Sequence, residues 1–336
     1  MQANMDNILE IKDLEVQIIS ANGIVKAVRG ANLSVRRGEI HGIVGESGCG
    51  KSVMMKSVMR LHDEDKVAYN GSIVLNDHPM LKLKNSQLNN VRGQEVAMIF
   101  QNPMTALSPI MKVGEQITEG LIYKQGMKKA EAKKLALEML EKVGITPAES
   151  RYEQYPFELS GGLLQRIMIA MAMINHPQLL IADEPTTALD VTIQAQILHL
   201  MKSMQKSTGV SIILITHDLG VIAEVCDRVS VMYAGRIVES GSVYELFDYP
   251  GHPYTQALLH SMPKGKDAKT RLDTIPGAPP SLYENIEGCA FAPRCPYASE
   301  RCRCEEPKKE QLMGAHYSVC HYAKELFEKG AIIHEG

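Results

Sequence analysis

The chain of 336 residues has no tryptophan and only five phenylalanines, an oddity of composition without an evident physical cause. Other absences exclude more. No apolar run approaches the roughly 18 residues a membrane-spanning helix needs. The net charge of −3 provides no overall positive field to attract nucleic acid. There is no tandem repeat, no low-complexity tract, no sustained heptad pattern and no basic patch. The first residues, Met1-Gln2-Ala3-Asn4-Met5-Asp6, have neither the basic nor the apolar region of a secretory leader. The chain is therefore expected in the cytoplasm. Thiols stay reduced there, so seven cysteines do not imply disulfides.

What is present is ordinary for a globular protein: 45% apolar and 22% charged residues, with length for two or three domains. Partial alternation predicts strands over Ile8–Ile11 and Leu14–Ile18, and residues 8–100 read mainly as strands. Leu33-Ser34-Val35 reads as a strand ending in a turn at Arg36-Arg37-Gly38-Glu39, and Ser72–Asn76 as another short strand. Lys129–Val143 has helical propensity and an apolar face, with Gly144 placed to cap its C-terminus. Residues 163–175 read as a further helix. Residues 178–182 and 211–215 are runs of strand length, wholly apolar after Gln178 and Ser211, as in a parallel sheet covered on both faces. Proline and glycine become denser over 241–285, which sets a domain boundary near residue 240.

The stretch Gly45-Glu46-Ser47-Gly48-Cys49-Gly50-Lys51-Ser52 fits the phosphate-loop pattern. An apolar strand, Ile40–Val44, precedes it and a helix over Ser52–Met59 follows. Glycines let backbone N–H groups turn inward around a polyphosphate, and the helix dipole favours its charge. Lys51 can reach the β- and γ-phosphates and the Ser52 hydroxyl can ligate Mg²⁺. Ser47, Gly48, Cys49 and Gly50 supply the cradle. Further on, Leu179-Leu180-Ile181-Ala182 runs into Asp183-Glu184-Pro185. Asp183 is placed to hold Mg²⁺, and Glu184 to orient or deprotonate the attacking water. Between them lies Leu159-Ser160-Gly161-Gly162-Leu163-Leu164-Gln165-Arg166, in which Ser160 can cap a helix and Gly161 and Gly162 bare their amides.

Phosphate loop, LSGGLLQR, LLIADEP, Ala188-Leu189-Asp190 and Thr216-His217-Asp218 occur in the order found in the ATP-binding cassette ATPases, which residues 8–240 resemble. The resemblance implies an α/β phosphate-loop NTPase core with an antiparallel β subdomain and a helical subdomain over about 102–165. Domains of 1–240 and 241–336 follow, the second a Cys-rich C-terminal region. The resemblance also implies a head-to-tail dimer in which Ser160, Gly161 and Gly162 close over ATP held by the facing subunit. Gln101, in Phe100-Gln101-Asn102-Pro103, would contact Mg²⁺ and the attacking water; His217 would contact the γ-phosphate and Asp190 would signal across the dimer. Taken alone, Gln101 is a polar loop residue, His217 a strand-end surface histidine and Asp190 a helix cap. The family's adenine-stacking aromatic has no counterpart, since no Phe, Trp or Tyr precedes Tyr69. Gly23–Val28 occupies the expected position, and an aliphatic contact there predicts weak discrimination between ATP and GTP.

The segments His252–Leu259, Ile275–Leu282 and Gly288–Pro296 resemble the C-terminal region of peptide-importer ATPases. That implies ATP-driven import of dipeptides or oligopeptides at the cytoplasmic face of the membrane. Its partners would be a second cassette (identical or a paralogue), two permease subunits, an external peptide-binding protein and no nucleic acid. Nickel and glutathione importers share the pattern. A soluble cassette ATPase acting on DNA or ribosomes, and a nucleotide-regulated redox protein, are the rival readings.

Cys289, Cys295, Cys302, Cys304 and Cys320 fall within 32 residues, a density that suggests a metal. Skipping Cys304, the gaps are five, six and seventeen residues, unlike zinc knuckles or ferredoxins. Some members of the dipeptide-importer subgroup carry a 4Fe–4S cluster on such cysteines. The resemblance therefore implies a cluster on Cys289, Cys295, Cys302 and Cys320, with Cys304 spare; zinc and free thiols stay open as alternatives.

Overall fold

The computed structural model describes residues 6–187, 189–262 and 274–329. These form two compact units, one from the described parts of Met1–Val35, Ile40–Lys82 and Thr216–Gly336, the other from Arg36–Glu39 and Leu83–Ile215.

In the first unit, Asn7–Ser20 and Gly23–Arg36 are neighbouring 14-residue strands. Val67–Leu75 pairs antiparallel with Asn7–Ser20, Leu9 opposite Leu75 and Ile11 opposite Ile73. All four of these side chains are buried, so this face of the sheet, once its register is set, cannot slip by one residue without exposing them. A second group of strands runs in the order Glu310–Met313, His316–Ser318, Arg236–Ser242, Arg228–Tyr233, Ile40–Val44. Ile40–Val44 lies parallel to Arg228–Tyr233 and is wholly buried. The hairpin at residues 310–318 extends this group, Ser240 pairing with Tyr317. It was not legible in the sequence because both its strands are short and polar.

Aromatic side chains, scarce in the chain, gather in this unit's core. Tyr233 and Tyr254 lie 4.6 Å apart between ring centroids, and Phe291 stands edge-on to Tyr233 at 5.3 Å. Val44, Val229, Val231, Leu246 and Leu259 pack in the same cluster, and Cys289 and Cys295 border it. The C-terminal residues thus share a core with the strand leading into the phosphate loop.

The second unit holds parallel strands Val96–Ile99, Leu179–Asp183 and Ser211–Ile215, with Ile99 opposite Ala182 and Asp183 opposite Ile215. The last two are buried along their whole length, as their apolar sequences require. The helix Lys129–Lys142 buries Ala132, Ala136, Met139 and Leu140, a stripe with the helical period, and Gly144 follows it at φ +76°. Gly161–Met173 forms the helix expected over 163–175, starting two residues earlier. The strand-rich reading of 8–100 missed the helix Asn85–Val91, whose polar sequence has little periodic signal. The 18-residue helix Val191–Thr208 is the longest element. Among the described residues no helix is long and apolar enough to cross a membrane.

Candidate functional site

Geometry at the phosphate loop explains its glycines. Gly45 has φ +155° and a Cβ there would lie 2.1 Å from the Met232 carbonyl oxygen. Gly50, the residue before the helix Lys51–Val58, has φ +106°, and its Cβ would lie 2.3 Å from the Ala27 carbonyl oxygen. No side chain fits at either place. The buried Lys51 Nζ donates to the carbonyls of Gly45 at 2.7 Å and Glu46 at 3.0 Å. No acidic residue occupies the first helical turn, so the dipole's positive end is not neutralised locally. Burial pushes the Cys49 thiol up, with Lys51 opposing, so Cys49 contributes here as a small neutral residue. Thr216 donates its amide to the Ile43 carbonyl in the strand before the loop, and the exposed His217 follows it. Asp218 then caps the helix Leu219–Val225 through the amides of Gly220 and Val221.

A second arrangement lies at the C-terminal end of Leu179–Asp183. Asp183 is buried. Glu184 adopts the left-handed backbone region, φ +47°, and its amide donates to the Ile215 carbonyl at 3.0 Å. That conformation costs a non-glycine residue about 1–2 kcal/mol. It is held by side-chain contacts: Gln101 Nε2 donates to Glu184 Oε2 at 2.8 Å and Thr187 Oγ1 donates to the same oxygen at 2.9 Å. Gln101 and Glu184 are 83 residues apart, and the structure brings them together. Thr187 was missed, because a threonine after Glu-Pro-Thr carries no signal of its own.

Ser160 sits at the N-cap of Gly161–Met173, but its side chain makes no capping bond, contrary to expectation. Its φ and ψ of −71° and 159° are those of a cap, and the side chain is exposed. Gly161 and Gly162 form the first turn, where a Cβ on Gly162 would press on Ile193 at 3.0 Å. Asp190 caps Val191–Thr208 by accepting from the Ile193 amide at 2.9 Å. Ala188 lies outside the described residues.

None of the seven cysteines is in a disulfide. Cys289, Cys295 and Cys320 have their thiols raised first by burial, Cys320 up to about 12. Cys320 also feels the charges of Cys289, Cys295 and Cys302, so these four are neighbours. Cys304 stands apart, exposed and hydrogen-bonded to Glu300. Among the described residues, however, no three His, Cys, Asp or Glu side chains are grouped to hold a metal ion. The four thiols of the expected centre are thus electrostatic neighbours that are not grouped as a set of metal ligands.

Aromatic surface near the expected adenine position comes from far along the chain. The Tyr283 hydroxyl lies 3.5 Å from Ser20 Oγ, and the Lys26 amide donates to the Leu282 carbonyl.

Comparison with known proteins agrees with these features. The family model described as ABC transporter matches residues 28–187, and that described as oligopeptide/dipeptide transporter, C-terminal region, matches residues 238–302. The chain is 48% identical over 330 residues to a probable peptide ABC transporter ATP-binding protein of Sinorhizobium fredii, covering 97% of this chain and 98% of that one. It is 50% identical to the oligopeptide transport ATP-binding protein OppD of Bacillus subtilis, covering 92% and 87%. Among solved structures, a dimeric ATP-binding cassette in a post-hydrolysis state with ADP and phosphate superposes with a TM-score of 0.63 at 27% identity, covering 70% of this chain and 98% of that one. With relatives this similar over nearly its whole length, and with both sequence models matched in order, the chain belongs to the ABC transporter ATPase family, in the branch that carries the oligopeptide/dipeptide transporter C-terminal region.

Proposed function

We propose that this chain is the ATP-hydrolysing subunit that powers import of dipeptides or oligopeptides across a membrane. The observation that carries this reading is one polypeptide holding both a sterically enforced phosphate loop and the peptide-transporter C-terminal region. The family implies ATP and Mg²⁺ as cofactors. Gly45, Ser47, Gly48, Cys49 and Gly50 form the cradle, and Lys51 carries charge to the β- and γ-phosphates. Ser52, Gln101 and Asp183 offer hard oxygen donors, the kind Mg²⁺ takes. Bound there, the ion would neutralise charge on the phosphate oxygens. Glu184 orients the attacking water and takes its proton; Gln101 and Thr187 hold the Glu184 carboxylate to one rotamer. His217 is assigned to the γ-phosphate.

Ser160, Gly161 and Gly162 are proposed to close over nucleotide on a second cassette, identical or a paralogue, with Asp190 signalling across that contact. The exposure of Ser160 at a helix tip supports this. Residues 1–240, including the helical part at 102–165, would form the cassette and 241–336 the appended region. Two permeases and an external peptide-binding protein complete the assembly, and the chain works peripherally at the cytoplasmic face. For the C-terminal thiols we keep a 4Fe–4S cluster on Cys289, Cys295, Cys302 and Cys320, with zinc as the alternative. Support comes from their mutual electrostatic contact and from the separation of Cys304. Loading would require rotation and deprotonation of the thiols.

The test is uptake of a labelled dipeptide and a labelled tetrapeptide by cells lacking this gene. Wild-type chain should restore uptake and Glu184→Gln should not. Restored uptake of nickel or glutathione instead would reassign the cargo.

A further inference from the structure

Glu46, the second residue of the phosphate loop, has every polar group occupied. Its amide donates to the Tyr254 hydroxyl at 2.8 Å, and its carbonyl accepts from Lys51 Nζ at 3.0 Å. Its carboxylate is gripped by a two-pronged pair: Arg294 Nη1 to Oε2 at 2.6 Å and Nη2 to Oε1 at 2.9 Å. The Arg294 side chain is 3% exposed and that of Glu46 27%. The rest of the guanidinium is satisfied by the Pro276 carbonyl at 2.9 Å, the Ile275 carbonyl and the Tyr233 hydroxyl. A planar guanidinium with all its prongs engaged is held in one orientation. Tyr254 and Arg294 both belong to the C-terminal part of the first unit, 208 and 248 residues away in sequence.

A carboxylate on a loop that binds a polyanion is paradoxical. Unneutralised, it would repel the phosphates that the loop amides and Lys51 attract. A small or neutral residue would avoid the problem, yet the chain keeps the acid and buries an arginine against it.

We propose that Arg294 is a positioning residue for nucleotide binding: from the C-terminal region it cancels the Glu46 charge and fixes the phosphate loop in its anion-accepting shape. The C-terminal region is thereby a working part of the nucleotide site, and the short turn Ala292–Arg294, bounded by Cys289 and Cys295, is the piece that reaches it. This rests on the phosphate-loop reading of residues 45–52.

Calorimetric binding of ATP, ADP and AMP to the full chain tests it, with thermal midpoints measured in parallel. Arg294→Ala should weaken ATP roughly tenfold or more, ADP less and AMP little, because the repulsion scales with phosphate charge. Adding Glu46→Gln to Arg294→Ala should recover most of the ATP affinity, although it rebuilds no ion pair. A merely structural arginine would lower affinity for all three nucleotides alike, and the double variant would be no better than the single; either result overturns the proposal. If Arg294→Ala does not fold, Arg294→Lys and Arg294→Gln carry the same comparison: the lysine keeps the cancelling charge without the two-pronged geometry, so it should bind ATP at least about threefold more tightly than the glutamine. Equal affinities for that pair would also overturn it. Lys51→Ala separates the two levels. Wild-type ATP binding by that variant would remove the phosphate-loop reading itself, whereas loss with Lys51→Ala and none with Arg294→Ala would remove only the role of Arg294.

Discussion

The Gln101 side-chain amide donates to Glu184 Oε2 at 2.8 Å, across 83 residues of sequence. Thr187 Oγ1 donates to the same oxygen. Glu184 therefore has one carboxylate oxygen engaged twice, which restricts the rotation of the whole carboxylate. Its left-handed backbone is paid for by the strand-end amide bond to Ile215 and by these two contacts.

Removing one contact should loosen the base without touching the nucleotide grip. Gln101→Ala is expected to lower kcat for ATP hydrolysis roughly 10- to 100-fold, as misplacement of a reacting group does. The affinity for ATP should stay within a few-fold of wild type. Thr187→Val should give a smaller loss in the same direction. Glu184→Gln should bind ATP, hydrolyse it at least about 100-fold more slowly and accumulate a closed dimer. Single-turnover hydrolysis and gel filtration with ATP measure these, and near-wild-type turnover by Glu184→Gln would mean another group positions the water.

Legibility of this site in the sequence divides by range. The phosphate loop and the two acids at 183–184 were readable because each is a local pattern on a strand end. The strands at 40–44, 179–183 and 211–215 announced themselves by mainly apolar sequences of strand length. What escaped was long-range. Arg294 at Glu46 and Tyr283 at Ser20 join residues about 250 apart, and no local pattern records such a meeting. The hairpin at 310–318 was missed because its polar strands lack alternation. Ser160 showed the converse: a residue type that suits capping, in the right place, with its hydroxyl turned away from the role.

The C-terminal thiols carry a prediction of their own. Burial keeps Cys289, Cys295 and Cys320 protonated near neutral pH, so any metal must displace protons. Loading should therefore be weaker at pH 6 than at pH 8. Anaerobic purification should yield iron, labile sulfide and a brown chromophore, lost on Cys→Ser at 289, 295, 302 or 320 and kept in Cys304→Ser. Zinc in their place would support the alternative, and colourless metal-free protein would leave structural thiols. ATP hydrolysis should survive in Cys304→Ser.

Acid should unfold the first unit partly through His252. This imidazole is buried and its Nδ1 accepts from the Tyr254 amide at 3.0 Å, capping the helix Pro253–His260. Burial pushes its pKa down to about 3. The unfolded chain takes up a proton near pH 6.5, whereas the folded chain resists until about pH 3. Stability from the neutral histidine is thus complete above pH 6.5 and is lost as pH falls towards 3. His252→Asn keeps a capping acceptor and removes the titration. Its thermal midpoint should fall less between pH 7 and pH 5 than that of wild type. Parallel slopes would assign the acid lability elsewhere.

Two phosphate-loop glycines should respond differently to the same methyl group. Gly48 has φ +79° but nothing lies within 4 Å of a Cβ there, so Gly48→Ala meets only backbone strain, about 1–2 kcal/mol. At Gly50 the added carbon would stand 2.3 Å from the Ala27 carbonyl oxygen and 3.0 Å from Met232 Cε. The methionine can swing aside, but the carbonyl belongs to the backbone of Gly23–Arg36 and cannot. Either that strand or the start of Lys51–Val58 must move, and moving the helix start carries Lys51 with it. Gly50→Ala should therefore cost about 3 kcal/mol or more and lower the thermal midpoint well below that of Gly48→Ala. ATP binding should be lost with it, since the lysine would no longer sit among the carbonyls of Gly45 and Glu46. Equal midpoints for the two variants would mean that the contact between Gly50 and Ala27 is relieved at no cost, and that Gly50 is needed for its φ alone.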